Sequence, residues 1–413
     1  MFKQMRIMML YVVTLPFLCM AGGEYVPLAN NDTSHEWAVL LYAVPETWGT
    51  YAMKNLDDAM TGICDDTTVA FACCNLSPNY WTLWQLFDGS LSQLERFIGP
   101  ESHATRITRL MNSMVQQYPA KKYALILSGN GFGLANMVYD FGAKKWVAPG
   151  EKRAMLYNDN EGACLTNSEM IAALTAVRTV LGRNLDVLIA DANSMMCAEI
   201  AAALSECVDI YVAPQSCQYI SGFRYDLLFE ALAGEAASSI DFARSIVGDS
   251  GEYYNSFPPE EGFGCYQGNR YFHSYAAVDC AQAGVLWKRF QLFMGALNGV
   301  LAQDQVLAGT MYRLRAGLTP SSFDACYVDF SVWLNHVRAV LAANTTSANV
   351  FSLVAESDDL LLWLRSSVLS TSIGYEAGDV RGISLCYPET DGFLMLNPAD
   401  PWHQFIVASM ARA

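Results

Sequence analysis

The stretch "ALILSGNGFG", residues 124–133, runs as an unbroken apolar segment and then breaks into three closely spaced glycines. A second stretch, "VLIADANSMM" (187–196), repeats the form further along the chain. Short continuous apolar runs bounded by turn residues fit strands buried on both faces, as in a parallel sheet. In open α/β sheets the C-terminal ends of such strands hold the binding or catalytic groups. The residues displayed at those two ends are Asn130 and Asn193.

Outward from these runs the pattern continues. "EWAVLLYAV" (36–44) and "TTVAFACCNL" (67–76) read as strands, with "YAMKNLDDAM" (51–60) at helical spacing between them. "YWTLWQLFDGSL" (80–91) reads as a hairpin or edge strand turning at Asp88-Gly89. "ATRITRLMNSMVQQYPA" (104–120) is an amphipathic helix that stops at Pro119. "TNSEMIAALTAVRTVLG" (166–182) opens on Thr166 with Glu169 three residues on, a capping box. "MMCAEIAAALSEC" (195–207) follows as a helix and "VDIYVAP" (208–214) as a strand. Strands alternating with helices at this spacing predict an α/β fold, a mostly parallel sheet with helices on both faces. Around 250–270 the texture turns to Gly, Pro and aromatics, as in a connector. Beyond it, 276–303 and 330–344 read as helices and "GISLCYP" (382–388) as a strand. The expected division is a targeting segment 1–23, an α/β domain 24–250 and a mixed C-terminal region 251–413.

The 413 residues are 53% hydrophobic and 16% charged, a globular composition. A net charge of −16 argues against nucleic acid, because a phosphate-binding face needs clustered Lys and Arg. The N-terminus has the layout of a secretory signal. Lys3 and Arg6 precede the apolar stretch Ile7 to Met20, which is too short to span a bilayer comfortably, and Ala21, Gly22 and Gly23 offer a cleavage site. Cleavage would place the mature protein in the periplasm, outside the cell or at its surface. Cys19 leaves lipoprotein attachment open as the second reading, against bulky residues "PFL" just before it. No later stretch is apolar enough for a membrane helix. Of 12 cysteines, 11 follow Cys19, with no C-x-x-C pair to suggest a zinc ribbon. Most lie in apolar surroundings, where a thiol acts as a small core residue.

The glycine cluster invites a phosphate-cradle reading, since a strand, a glycine turn and a helix N-terminus can bind an anion. There is no G-x-G-x-x-G or G-K-[ST], and Lys121 and Lys122 sit before the strand, at its wrong end. Acid-rich spots in "LDDAM" (56–60), "DDTT" (65–68) and "NDNEG" (158–162) raise Ca²⁺, but none follows the EF-hand pattern, and solvated loop carboxylates explain them.

Strand, N-G, helix, strand, D-A-N, helix resembles the caspase-like cysteine peptidases, and within them the clostripain family. The family's blocks run roughly "YPA-x-K-YALIL-x-x-HG-G", then "D-L-I-x-FDAC-L-M-x-x-x-E-x-A-x-x-L", then "AD-Y-x-V-x-S". This chain has "YPAKKYALILSGNGFG" (118–133), "DVLIADANSMMCAEIAAAL" (186–204) and "VDIYVAP". "VLLYAV" with "MKNLDDAM", "SGFRYDLLFEAL" (221–232), "GISLCYP" and the closing "WHQFIVASM" (402–410) are similar to further family blocks, so the resemblance runs from about residue 36 to the end.

The resemblance implies a caspase-like α/β/α sandwich and gives the asparagines a meaning. Asn130 stands at the family's catalytic His, before Gly131; Asn193 stands at its catalytic Cys, after Asp191 and Ala192. Gly131, Asp191, Ala192 and Ser194 would line what remains of the cleft, with Asp191 as a remnant of the specificity pocket. "PQSCQYIS" (214–221) lacks the acid the family uses there for a basic side chain. The implied protein is a pseudo-peptidase that binds peptide or protein segments, without cofactor; Ca²⁺ enters only through some relatives. The other reading is an active endopeptidase with a displaced nucleophile, Cys197 or Ser194, served by His273. Cys197, at helical spacing from Ala201 and Leu204, also reads as core.

Overall fold

The structure is a computed structural model that describes residues 35–44, 49–63, 67–77, 80–99, 101–134, 138–140, 145–147, 155–158, 163–233, 238–257, 271–321, 326–344, 348–377, 380–388 and 397–411. The expected signal segment and Cys19 lie outside them. The strands, in chain order, are β1 (His35–Ala43), β2 (Thr68–Ser77), β3 (Tyr80–Phe87), β4 (Ser90–Phe97), β5 (Ala120–Ser128), the short β6 (Val138–Asp140), β7 (Lys145–Val147), β8 (Met155–Asn158) and β9 (Ala163–Leu165), then β10 (Leu185–Asp191), β11 (Val208–Pro214), β12 (Ser274–Asp279), β13 (Tyr327–Asp329), β14 (Val368–Ile373) and β15 (Ser384–Cys386). The helices are α1 (Gly49–Gly62), α2 (His103–Gln117), α3 (Asn167–Leu181), α4 (Ala198–Ala203), α5 (Tyr225–Glu230), α6 (Ser239–Ser256), α7 (Cys280–Gln303), α8 (Gln305–Tyr312), α9 (Phe330–Ala343), α10 (Ala348–Ser367) and α11 (Pro401–Met410).

Nine strands form one sheet in the order β14-β12-β11-β10-β5-β1-β2-β3-β4. Its centre, β11-β10-β5-β1-β2, is parallel, and antiparallel strands extend it on both sides. The apolar runs at β5 and β10 follow from this placement, because central parallel strands are covered on both faces. All seven residues of β10 are buried. Alternation along β5 feeds two cores. Leu125 and Leu127 join Leu110 and Met111 of α2 and Leu174 of α3, while Ala124 and Ile126 join Leu56 of α1, Leu228 of α5 and Phe242 of α6. The result is an α/β/α sandwich.

The chain runs outward from β1 to β2, β3 and β4, then returns through α2 to the other side of β1 and continues to β10 and β11. The direction of winding reverses between β1 and β5, which puts the topological switch point at the ends of those two strands, one strand away from β10. The expected helix caps are present: Thr166 and Glu169 form the capping box of α3, and Gly182 ends it in the left-handed region at φ 69°.

The C-terminal half departs from expectation. Residue 250, the expected domain boundary, falls inside α6, and β12 and β14 complete the main sheet. Residues 276–279 belong to β12, and the helix read there begins only at Cys280, where Asp279 caps it by accepting from the Gln282 N–H. Residues 195–197 lie outside the expected helix, which starts at Ala198. The strand at 384–386 pairs with β13 in a separate two-stranded sheet. Helices α6 and α10 and strand β14 were not anticipated.

Two buried side chains join this half to the rest. Gln215, fully buried after β11, donates to Asp329 Oδ2 at 2.8 Å and accepts from the Gly382 N–H at 2.8 Å. Glu199 in α4 accepts from the Cys386 N–H at 3.0 Å, and burial raises its carboxyl to about 7. Around them, Trp402 of α11 packs among Phe290, Trp333, Tyr387 and Phe405 and donates its indole N–H to Cys386 O at 3.2 Å. Trp402→Ala therefore removes a fully buried aromatic and a hydrogen bond. The expected cost is about 3–5 kcal/mol in denaturant unfolding, whereas a loss below about 1 kcal/mol would mean that α11 is not part of the cooperative core.

Candidate functional site

The backbone of β10 pairs with β5 so that Asp191 stands opposite Ser128. The two turns that follow are therefore level. The Gly129 N–H donates to Asp191 O at 3.2 Å, which continues the pairing into the turns. Asn130 and Asn193 each lie two residues beyond their strand's end, on neighbouring parallel strands. The turns touch at Gly131: a Cβ there would run into the Asn193 backbone and lie 2.8 Å from Ala192 Cβ. Glycine is needed here for close approach of two backbones.

The other turn contacts are equally specific. Asn130 O accepts from the Leu156 N–H at 2.7 Å, and Gly131 pairs with Met155. Gly133 adopts φ 58° against the Tyr327 hydroxyl and Ser194 O, where a Cβ has no room. That hydroxyl donates to Phe132 O at 2.7 Å and accepts from the Leu134 N–H at 2.6 Å. The glycine loop is thus built for close packing within the chain, in line with the absence of a phosphate-binding motif. On the second turn, Ser194 holds φ 56°, and its N–H donates to Ser216 O at 2.8 Å. A non-glycine residue in that region is uncommon and marks a turn held by its surroundings.

Both asparagines are half-buried. Asn193 Oδ1 accepts from the Gln218 N–H at 2.6 Å, tying the turn after β10 to the loop after β11. Asp191 is 3% exposed. Its Oδ1 accepts from Gln218 Nε2 at 2.6 Å and the Phe223 N–H at 3.2 Å. Its Oδ2 accepts from the Tyr225 hydroxyl at 2.6 Å and Ser128 Oγ at 3.3 Å. Burial raises its pKa above the ordinary aspartate value, against those hydrogen bonds, which pull it down. Gly222, at φ 68°, presses its Cα face on the same carboxylate. Asp191 therefore organises residues 218–225 within the chain. The sequence did not single out Gln218, Gly222 or Tyr225; the available signs were the missing acid in "PQSCQYIS" and the "SGFRYDLLFEAL" block that holds Gly222 and Tyr225.

The displaced groups do not assemble. Ser194 is 2% exposed and Cys197 is fully buried at the N-cap of α4, bridged to Ser384. His273 is fully buried just before β12. Its ring neighbours are Tyr219, Tyr254 and Tyr275, and its Nε2 faces Ser372 Oγ at 3.5 Å. It serves neither Ser194 nor Cys197, and burial lowers its pKa to about 4. Of the nine described cysteines eight are buried, which fits core packing. Burial pushes Cys74 up to about 12 and Cys207 to about 11, away from reactive thiolates. Of the acid-rich spots, Asp58 pairs with Lys54, while 65–66 and 159–162 lie outside the described residues. Among the described residues no three His, Cys, Asp or Glu side chains converge as metal ligands.

His273 yields a pH prediction. Its folded pKa, about 4, lies below the ordinary 6.5. Between these values the unfolded chain takes up a proton and the folded chain does not. Stability is therefore full above pH 6.5 and is lost as pH falls toward 4. His273→Gln removes this dependence. The variant's deficit at neutral pH should shrink by about 2–3 kcal/mol near the acid end, at ~1.4 kcal/mol per pKa unit. Denaturant unfolding of both proteins across that range decides it; a constant deficit would show that His273 titrates normally.

Comparison with known proteins agrees with this geometry. Residues 100–281, which include both turns, match the sequence model of the clostripain family, peptidase C11. No protein of curated function matches the sequence. Among solved structures, the fold is similar to a secreted C11 cysteine protease from Bacteroides thetaiotaomicron, "iotapain", with TM-score 0.65 and 14% identity over 90% of this chain and 99% of that one. An inactive zymogen C11 protease from Parabacteroides distasonis gives TM-score 0.62 and 15% identity over 91% of this chain and 99% of that one. A secreted C11 cysteine protease from B. thetaiotaomicron in complex with an irreversible peptide inhibitor gives 0.59 and 12% over 91% and 99%. The sequence thus resembles the clostripain family over residues 100–281, and the overall fold is that of the C11 proteases.

Proposed function

We propose that this clostripain-like chain is an exported pseudo-peptidase, a non-catalytic protein that holds peptide or protein segments in the cleft at the ends of β5 and β10. One observation carries the reading: both focal positions of that cleft, Asn130 and Asn193, present carboxamides. Cysteine-peptidase chemistry needs a thiolate to attack and an imidazole to hold and return the proton. A carboxamide does neither, because it is neutral and does not titrate near neutral pH. The neighbours do not substitute. Ser194 and Cys197 are buried, and His273 packs among tyrosines. Catalytic groups of this kind act as a unit, so losing both leaves at most weak residual catalysis from binding.

Cleavage assays test the reading. Wild type should not cleave fluorogenic peptides after Arg, Lys or neutral residues. Asn193→Cys alone should add little, because a thiol of pKa ~8.5 with no imidazole partner stays mostly protonated at neutral pH. Asn130→His with Asn193→Cys has the best chance of turnover. Robust wild-type cleavage that survives Asn193→Ala would place an active site elsewhere and overturn the proposal.

Export rests on the N-terminal layout of Lys3, Arg6 and the apolar stretch to Met20. Among the described residues no helix is long and apolar enough to cross a membrane. The similar B. thetaiotaomicron protease is described as secreted. Mass spectrometry of the exported protein should find a mature N-terminus between Met20 and Glu24. An intact Met1 would contradict export by this route, and a lipid on Cys19 would favour the lipoprotein form.

A further inference from the structure

Taking the strand-end region as the binding cleft proposed above, we infer that Gln218 is the chain's own occupant of the position facing Asp191, and that it bars a cationic side chain from the cleft. The Asp191 carboxylate is buried with neutral donors on both oxygens: Gln218 Nε2 and the Phe223 N–H on Oδ1, the Tyr225 hydroxyl and Ser128 Oγ on Oδ2. A buried carboxylate held this way resembles a cation site whose cation has been replaced by the protein's own dipoles.

Three of the donors belong to framework. Ser128 ends β5, Tyr225 opens α5 with its side chain fully buried, and the Phe223 donor is backbone. Gln218 is different: it is a half-buried side chain on the loop after β11. Its amide is used at both ends. Nε2 donates to Asp191, and Oε1 accepts from the Tyr219 N–H and the Tyr275 hydroxyl, both at 2.9 Å. Its backbone N–H donates to Asn193 Oδ1 at 2.6 Å. The nucleophile-position asparagine thus fastens the residue that covers the acid.

A guanidinium or ammonium can reach Asp191 only by displacing this side chain and leaving the Tyr275 hydroxyl and the Tyr219 N–H to find other partners. Removing the Gln218 side chain reverses the balance. Oδ1 keeps the Phe223 N–H at 3.2 Å, loses its shorter hydrogen bond, and gains adjacent volume. The group that best restores the contact is a cation bearing N–H donors.

The test uses n-butylguanidinium, a mimic of an arginine side chain, titrated calorimetrically into the full-length protein. Wild type should bind weakly, with a Kd that can be measured or bounded from below. Gln218→Ala should bind roughly tenfold tighter or more, the equivalent of one hydrogen bond to a charged group. Gln218→Ser is the second variant. Both keep the backbone N–H that bonds Asn193, so the loop stays tied, and thermal unfolding checks that each is folded. Adding Asp191→Asn should abolish the gain. The inference is overturned if wild type already binds as tightly, if the folded variants gain nothing, or if the gain survives Asp191→Asn. The probe has no peptide backbone and is not cleavable. Failure of the wild type to bind any peptide would therefore undo the proposed function and leave this result intact.

Discussion

The pairing of β5 with β10 is the constraint on which the site depends. Ser128 stands opposite Asp191, so both strands end at one level and their turns meet. The contact of Gly131 with the Ala192 Cβ and the Asn193 backbone is possible only because that register holds and because residue 131 has no Cβ. A shift of one residue would turn Ala124 and Ile126 toward the wrong core and separate Asn130 from Asn193. The two turns that carry Asn130 and Asn193 are therefore held against each other by the register of the strands.

Asn193 and Asp191 share one polar network through Gln218. Asn193 supplies an acceptor for the Gln218 N–H, and Gln218 in turn covers Asp191. Hydrogen bonds to a buried charge contribute more than neutral ones, and leaving them unmade is costly. The region is thus held by a connected polar network. The C-terminal half stabilises the same edge of the sheet: Gln215 reaches Asp329 and Gly382, Tyr327 holds the glycine loop, and Glu199 holds Cys386. Removing that half would expose buried polar groups beside the site as well as apolar surface.

Much of this was legible in the sequence, for physical reasons that vary by element. The β5 and β10 runs stand out because burial on both faces leaves no polar positions. The α3 boundaries stand out because Thr166, Glu169 and Gly182 act locally. The strand β12 was hidden because apolar residues continue unbroken from it into α7, and only Asp279 marks the change. Helix α6 was hidden because it contains Gly248 and Gly251, poor helix formers. Gly251 is required there by tertiary contact, since a Cβ would collide with Ser372 on β14. The asparagines could be found by position, but the role of Gln218 could not. It depends on Asn193, Asp191 and Tyr275, which only folding brings together.

The central claim is that the strand-end cleft holds no reactive nucleophile. The most direct measurement is intact-mass analysis of the native full-length protein after exposure to peptidyl chloromethyl ketones ending in basic and in neutral residues, with the unfolded protein as the control for thiol reactivity. The account predicts no adduct on the native chain and alkylated cysteines on the unfolded one. A stoichiometric adduct on the native protein at Cys197, Ser194 or His273 would contradict it.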